Sequence, residues 1–226
     1  LGSTCVLFSA LLRLNMLYQP NSFDVLCWTS LYFVLVMYFK TDNHNWLYAG
    51  AVVFALGFFN KYNVVFQLLG LFPALLLTPQ RKMFARPALY IAAGIALMLI
   101  SPNLWWQYQH GFPVFYHLQQ LADTQLVNVD RLGFLKAQLL FYVGSVIVLA
   151  ASLYSLLFYK PFSSFAFLFW SMLFTLGVFI AFRAKDYYAI GIYPIYIAFG
   201  AVYLESVCQE GWKRYGEIIH LYLIMH

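Results

Sequence analysis

Long apolar stretches alternate with short polar ones along this chain. The apolar stretches run at roughly 1–18, 24–39, 46–59, 62–78, 88–104, 134–159, 162–182 and 187–204. A helix needs about 20 apolar residues to cross a bilayer, and most of these stretches are near that length. None shows the every-second-residue alternation of a barrel strand. Backbone polar groups in lipid must be satisfied within the segment, which leaves helices. The pattern predicts an all-α fold, a polytopic transmembrane bundle of about eight helices forming one membrane domain over 1–204. The segment 205–226 mixes charged and apolar residues and suits a membrane surface. The run 46–59 either ends at Asn60 and Lys61 or continues through them into the next run.

Composition strengthens this reading. The chain has 226 residues, 63% hydrophobic and 9% charged; a soluble domain is about 45–50% apolar and about 25% charged. Aromatics make up 21%, as expected where Tyr and Trp ring both membrane interfaces. The net charge of +5 is not gathered into a basic block, so nucleic acid is not an expected partner and membrane lipids are. Cys5, Cys27 and Cys208 lie in or beside apolar runs without metal-type spacing, and read as free thiols. The chain opens inside a helix-like run with no initiator Met and closes as abruptly. A piece of a longer protein is the expectation.

Charge between the runs gives a topology. TPQRKMFARP (78–87) carries Arg81, Lys82 and Arg86 with no acid, and so is expected on the cytoplasmic side. Alternation then puts Asp24, Lys61, His110, His117, Asp123, Asp130, Arg131, Arg183 and Lys185 together on the outer face. The connection 105–133 is long for a helical bundle and rich in aromatics, unlike a disordered tract. Val114–Leu121 is expected as a short interfacial helix, after a turn at Gly111 and Pro113.

Four motifs carry candidate chemistry, each beside a plainer reading. In QPNSFDVLCW, Asn21 or Ser22 could cap a helix, and Asp24 would complement its dipole. Alternatively, Asp24 is a carboxylate at the membrane mouth, holding a metal or a sugar hydroxyl. In GFFNKYNVVF, Lys61 either snorkels to the headgroups or is buried and functional. In HGFPVFYH, His110 and His117 read as hydrogen-bonded structural residues or as metal ligands. In FRAKDYYAIGIYP, Arg183 and Lys185 either grip lipid phosphates or, with Tyr187 and Tyr188, hold a phosphate ester. Asp186 is expected to pair with one of the two cations. No Walker loop, dinucleotide-binding glycine pattern, G-x-S-x-G or HExxH occurs.

The order of QPNSFDVLCW, LGFFNKYNVVF, SPNLWWQYQHGFPVF and RAKDYYAIGIYP resembles bacterial membrane glycosyltransferases of the dolichyl-phosphate-mannose–protein mannosyltransferase type. These belong to the GT-C superfamily (glycosyltransferase family 39-like) and are relatives of the aminoarabinose transferase of lipid A. The resemblance implies an enzyme of the bacterial inner (plasma) membrane. It would move a sugar, with inversion, from a polyprenyl-phosphate sugar donor to a lipid, glycan or protein acceptor on the outer face.

By the same resemblance, Asp24 is the candidate catalytic acid at the start of its helix. Lys61 matches an Asn/Thr-Lys element, and Lys185 with Tyr187 and Tyr188 matches a Lys-x-Tyr-Tyr element near the carrier phosphate. His117 matches a metal-ligating histidine, which makes a divalent metal ion the implied cofactor. Gly191 departs from the pattern, which has a proline after the tyrosine pair. The family's principal acids lie in an outer loop that would precede Leu1, so the general base is expected outside this sequence. From the residues themselves, Lys61, Arg131 and Lys185 are the cations suited to a leaving phosphate. A transporter or flippase of a lipid-linked or small anionic solute is the alternative, and a non-enzymatic membrane scaffold is a third.

Overall fold

A computed structural model describes residues 1–7, 9–16 and 19–208. The described residues form an all-α structure with no strand. Its helices are α1 (Gly2–Leu7), α2 (Ala10–Asn15), α3 (Asn21–Thr41), α4 (Asn45–Asn60), α5 (Val64–Leu76) and α6 (Pro87–Gln109), then α7 (Pro113–Thr124), α8 (Arg131–Phe141), α9 (Val146–Phe158), α10 (Ala166–Ala181) and α11 (Tyr193–Val207). Short 3-10 turns at 79–85, 126–128, 143–145, 160–165 and 186–192 join or extend them. The surface tail expected at 205–226 lies outside the described residues from position 209 onward.

Among the described residues four helical stretches are long and apolar enough to cross a bilayer: Asn21–Thr41, Pro87–Gln109, Lys160–Ala181 and Asp186–Val207. Two bent pairs raise the number to 6 if each counts as one span. The protein is an integral membrane protein, and its described residues hold fewer uninterrupted spans than the eight apolar runs predict. The run 134–159 shows why: its two helical arms, Arg131–Phe141 and Val143–Phe158, are bent by 65° at Tyr142. The sequence there is Tyr-Val-Gly-Ser, and a Gly-Ser pair is a usual site for a sharp helix kink. At the bend Tyr142 is fully buried and donates to the Ile190 carbonyl (3.2 Å), while Ser145 donates to the Cys5 carbonyl (3.4 Å). The run 62–78 ends in a 107° bend onto Pro79–Ala85.

The helices pack in neighbouring pairs: α3 with α4, α4 with α6, α5 with α10, and α9 with α11. Glycines permit the closest approaches. A Cβ on Gly70 of α5 would lie 1.9 Å from Thr175 Oγ1 of α10, and one on Gly200 of α11 would lie 2.0 Å from the Val148 carbonyl oxygen of α9. Small residues at such crossings let backbones approach where lipid supplies no hydrophobic drive between helices. Buried polar side chains tie these pairs to one another, joining α3 to α10, α5 to α3 and α11 to α10. Tyr32 and Ser171 share a hydrogen bond (3.0 Å), Gln67 donates to the Trp28 carbonyl (2.9 Å), and Tyr196 donates to the Leu168 carbonyl (2.6 Å).

α6 runs past the expected 88–104 to Gln109. It ends in two left-handed residues, Gly111 (φ 69°) and Phe112 (φ 57°), with the Phe112 amide donating to the Gln107 carbonyl (2.7 Å). The predicted interfacial helix is α7, slightly longer than expected and with no buried residue. It starts at Pro113, whose fixed φ suits a first helical position.

Candidate functional site

The site is built around four residues, Asn60-Lys61-Tyr62-Asn63, that close α4 and turn into α5. Lys61 has extended backbone angles that end α4, so one apolar reach becomes two helices rather than one. All four turn side chains then bond outward. Asn60 donates to the Pro20 carbonyl (2.9 Å) and Lys61 Nζ to Asn21 Oδ1 (3.1 Å). Tyr62 donates to Asn103 Oδ1 (3.0 Å) and accepts from Gln107 Nε2 (2.9 Å), both on α6. Asn63 Nδ2 donates to Asp24 Oδ2 (2.8 Å) and to the Tyr188 carbonyl (3.1 Å). The turn is thus tied to α3, to α6 and to the 3-10 segment before α11.

Lys61 sits over two aromatic faces. Its Nζ is 4.0 Å from the Tyr188 ring centre and 5.3 Å from that of Tyr187. The two rings meet edge to face at 4.9 Å. Burial pushes the Lys61 ammonium below the ordinary lysine range; the Asp24 charge opposes this, and the charge of Lys185 adds to the depression. Asp24 is buried at 5% exposure. Its Oδ1 has no hydrogen-bond partner among the described residues.

The capping expectation needs correction. α3 starts at Asn21 behind Pro20 without a side-chain cap. Asn21 donates instead to Gln19 Oε1 (2.8 Å) and accepts from Lys61. Asp24 lies in the first turn of α3, but its carboxylate faces Asn63.

The charges of FRAKDYY are held mainly by neutral oxygens. Arg183 adopts a left-handed backbone (φ 50°) just after α10 and donates to the Val127 carbonyl (3.4 Å). Lys185 Nζ donates to Gln125 Oε1, and Arg131 Nε donates to the Ile180 carbonyl (3.3 Å). The expected pairing of Asp186 does not occur: among the described residues no cation lies within ion-pair distance of it. Its carboxylate accepts from the Tyr187 amide (2.8 Å), fixing the start of the 3-10 segment.

Asp24, Lys61, Tyr187 and Tyr188 are therefore brought together, and Lys185 is near enough to press on the Lys61 charge. Arg131 is tied to the last turn of α10, where a cation complements the helix dipole. His117 is exposed on α7. Among the described residues no group of three or more His, Cys, Asp or Glu side chains could hold a metal ion, so a divalent ion at His117 would need further ligands. Gly191 packs on Trp28, where a Cβ would lie 2.8 Å from Cγ; this accounts for a glycine at a position close to the tyrosine pair. Sequence reasoning missed Asn60, Tyr62 and Asn63 as site-forming residues. Three polar residues within four positions, between two apolar runs, were the available signal.

A shallow, open depression of about 710 Å³ lies on the surface of this end of α6, lined by Ser101, Pro102, Leu104, Trp105 and Tyr108 of that one helix.

Residues 1–106 match the model of the dolichyl-phosphate-mannose-protein mannosyltransferase family. That stretch contains Asp24, Lys61 and Asn63 but not Lys185 or the tyrosine pair. Over 75 residues the chain is 35% identical to a lipid A galacturonosyltransferase, RgtD, of Rhizobium johnstonii, an alignment covering 33% of this chain and 16% of that relative. No solved structure matches the chain. The likeness read from the motifs is thus found independently: over residues 1–106 the chain is similar to membrane glycosyltransferases of the GT-C type.

Proposed function

We propose that the protein is a membrane glycosyltransferase that takes a sugar from a polyprenyl-phosphate-linked donor and passes it to an acceptor on the outer face of a bacterial inner membrane. The observation that carries this reading is the setting of Lys61. Its ammonium lies against two tyrosine rings, beside a buried carboxylate, on a turn bonded to three other parts of the bundle.

Cleavage of a sugar–phosphate bond leaves negative charge on the departing phosphate. A cation already fixed in a water-poor site stabilises that charge without reorganising. Lys61 and Lys185 supply the cations in this reading, and the Tyr187 and Tyr188 hydroxyls are the adjoining donors. Gln125 and Asn21 are neutral partners that a phosphate oxygen can replace on the two lysines. Arg131 assists from the α10 end. In this reading Asp24 holds the Lys61 turn through Asn63 and assists the acceptor hydroxyl, with the main base elsewhere. The prenyl chain, in the same reading, lies along the apolar surface at that end of α6, which Tyr62 ties to the Lys61 turn.

The broken span α8–α9 favours a transporter, because such folds bind solutes at interrupted helices. Against this, the break is filled. Tyr142 packs on Tyr193 with ring centres 4.3 Å apart, and its hydroxyl is taken by a backbone carbonyl.

The test is transfer from labelled polyprenyl-phosphate sugar by the intact protein and by Lys61→Ala and Lys185→Ala. Loss of transfer in both supports the assignment, and unchanged transfer in both removes it. Movement of an intact solute without glycosyl transfer would favour the transporter.

A further inference from the structure

We infer that Asn63 is a positioning residue, whose one amide group fixes the Tyr188 ring over Lys61 by bonding the Asp24 carboxylate and the Tyr188 backbone at once. The inference rests on the donor-site reading above and names a residue to which that reading gives no part.

The geometry leaves the amide little choice. Asn63 Nδ2 has two hydrogens, and both are used, one on Asp24 Oδ2 (2.8 Å) and one on the Tyr188 carbonyl (3.1 Å). The Tyr188 carbonyl can only accept, so the nitrogen must face it and the amide cannot be reversed. The side chain is 4% exposed, so water does not stand in readily for either bond. Asn63 Oδ1 and Asp24 Oδ1 each lack a hydrogen-bond partner among the described residues. The Nδ2 contacts are therefore the hydrogen bonds that join this pair to each other and to Tyr188.

The three bonded residues belong to separate elements. Asp24 is in the first turn of α3, Asn63 is two residues after Lys61 in the α4–α5 turn, and Tyr188 lies in the segment preceding α11. One turn thereby grips one residue twice: Asn63 holds the Tyr188 carbonyl, and Lys61 covers the Tyr188 ring at 4.0 Å. The carbonyl contact sets the peptide from which the ring projects. Tyr188 is also held by its own amide on the Lys185 carbonyl (3.1 Å), by core neighbours and by the edge contact with Tyr187; the Asn63 bond is the one that ties its backbone to the Lys61 turn.

The experiment is a double-mutant cycle on thermal unfolding of the intact protein. Lys61→Met and Tyr188→Leu are combined in the native background and again with Asn63→Ala. The expected result is a measurable Lys61–Tyr188 coupling in the native background that disappears with Asn63→Ala. A merely structural asparagine would lower the unfolding temperature and leave that coupling intact, and this result would overturn the inference. If Asn63→Ala does not fold, the exchanged pair Asp24→Asn with Asn63→Asp takes its place. It restores an amide–carboxylate contact to α3 but offers Tyr188 no N–H. Loss of coupling in the exchanged pair supports the inference and native coupling overturns it.

Donor kinetics separate this inference from the reading beneath it. Asn63→Ala is expected to raise the KM for polyprenyl-phosphate sugar roughly tenfold, with a smaller change in kcat. Lost coupling with unchanged KM would leave the bracket standing and remove the donor site. Retained coupling removes the bracket whatever the KM.

Discussion

Lys61 holds its ammonium 4.0 Å from the centre of the Tyr188 ring, although the two residues lie more than half the chain apart. A cation over an aromatic face is worth about 0.5–2 kcal/mol, more as water is excluded. The face matters for this and the hydroxyl does not. Tyr188→Phe should therefore keep the unfolding temperature close to native, and Tyr188→Leu should lower it. If the hydroxyl also meets the donor phosphate, Tyr188→Phe lowers transfer while leaving stability alone. Thermal unfolding and a transfer assay on the same two variants separate the two roles.

The depressed ionisation of Lys61 gives a pH dependence with a definite sign. Burial lowers its folded value below 10.5, so the ammonium is lost at a lower pH than that of a free lysine. A phosphate-binding lysine works only when charged. The kcat/KM for donor should fall as pH rises through the Lys61 value in the free enzyme, before ordinary lysines titrate. Lys61→Arg keeps its charge throughout this range and should lack that limb. For stability the direction is reversed. The unfolded chain binds the proton more tightly, so this group's contribution to stability rises with pH between the folded value and 10.5.

Helix crossings give a contrast that does not depend on the reaction. A Cβ on Gly200 would meet the Val148 backbone carbonyl at 2.0 Å, and backbone cannot step aside. A Cβ on Gly177 of α10 meets nothing within 4 Å. Gly200→Ala should destabilise by about 1–3 kcal/mol through overpacking. Gly177→Ala should be neutral or stabilise by up to about 1 kcal/mol, as alanine does in an open helical position. Gly70→Ala should fall nearer the first, because Thr175 Oγ1 can rotate but the Thr175 backbone nitrogen, 2.9 Å away, cannot. Thermal unfolding of the three variants gives the order.

Arg183 occupies a left-handed position after α10 where glycine is the usual residue, and the following amide, Ala184, bonds back to the Phe179 carbonyl (2.9 Å). Holding a non-glycine residue there costs about 1–3 kcal/mol. Arg183→Gly should relieve that cost and also lose the contact with Val127, so stability should change little. Arg183→Val, which keeps neither benefit, should lower the unfolding temperature.

Much of the fold is legible in the chain because lipid imposes one rule: apolar reaches become helices. The breaks are harder. The apolar character of 134–159 hides the 65° bend; the Gly144-Ser145 pair beside it was the local signal, and the bond from Tyr142 to Ile190 lies across the bundle where the sequence could not show it. The α6 overrun to Gln109 was hidden because Trp, Tyr and Gln there resemble an interface. Asp24, Lys61, Tyr187 and Tyr188 were readable as costly or chemically apt residues at run ends, and the structure brings them together. Asn63 was not, since a single asparagine after an aromatic reads as a helix boundary. Its meaning lies in partners 39 and 125 positions away. The Asp186 expectation failed for a local reason. The nearest donor to its carboxylate is the amide of the next residue, which needs no long side chain to be immobilised.

The central claim is that the Asn60–Asn63 turn and the Lys185–Tyr188 segment together receive the headgroup of a lipid-linked sugar. The most direct measurement is photolabelling of the intact protein in lipid bilayers with a polyprenyl-phosphate sugar whose reactive group sits on the isoprene next to the phosphate, followed by peptide mapping. The account requires label on peptides containing Lys61 and Tyr188, reduced by excess unlabelled donor. Competable label confined to the opposite end of the bundle, around Arg81 and Lys82, would contradict it.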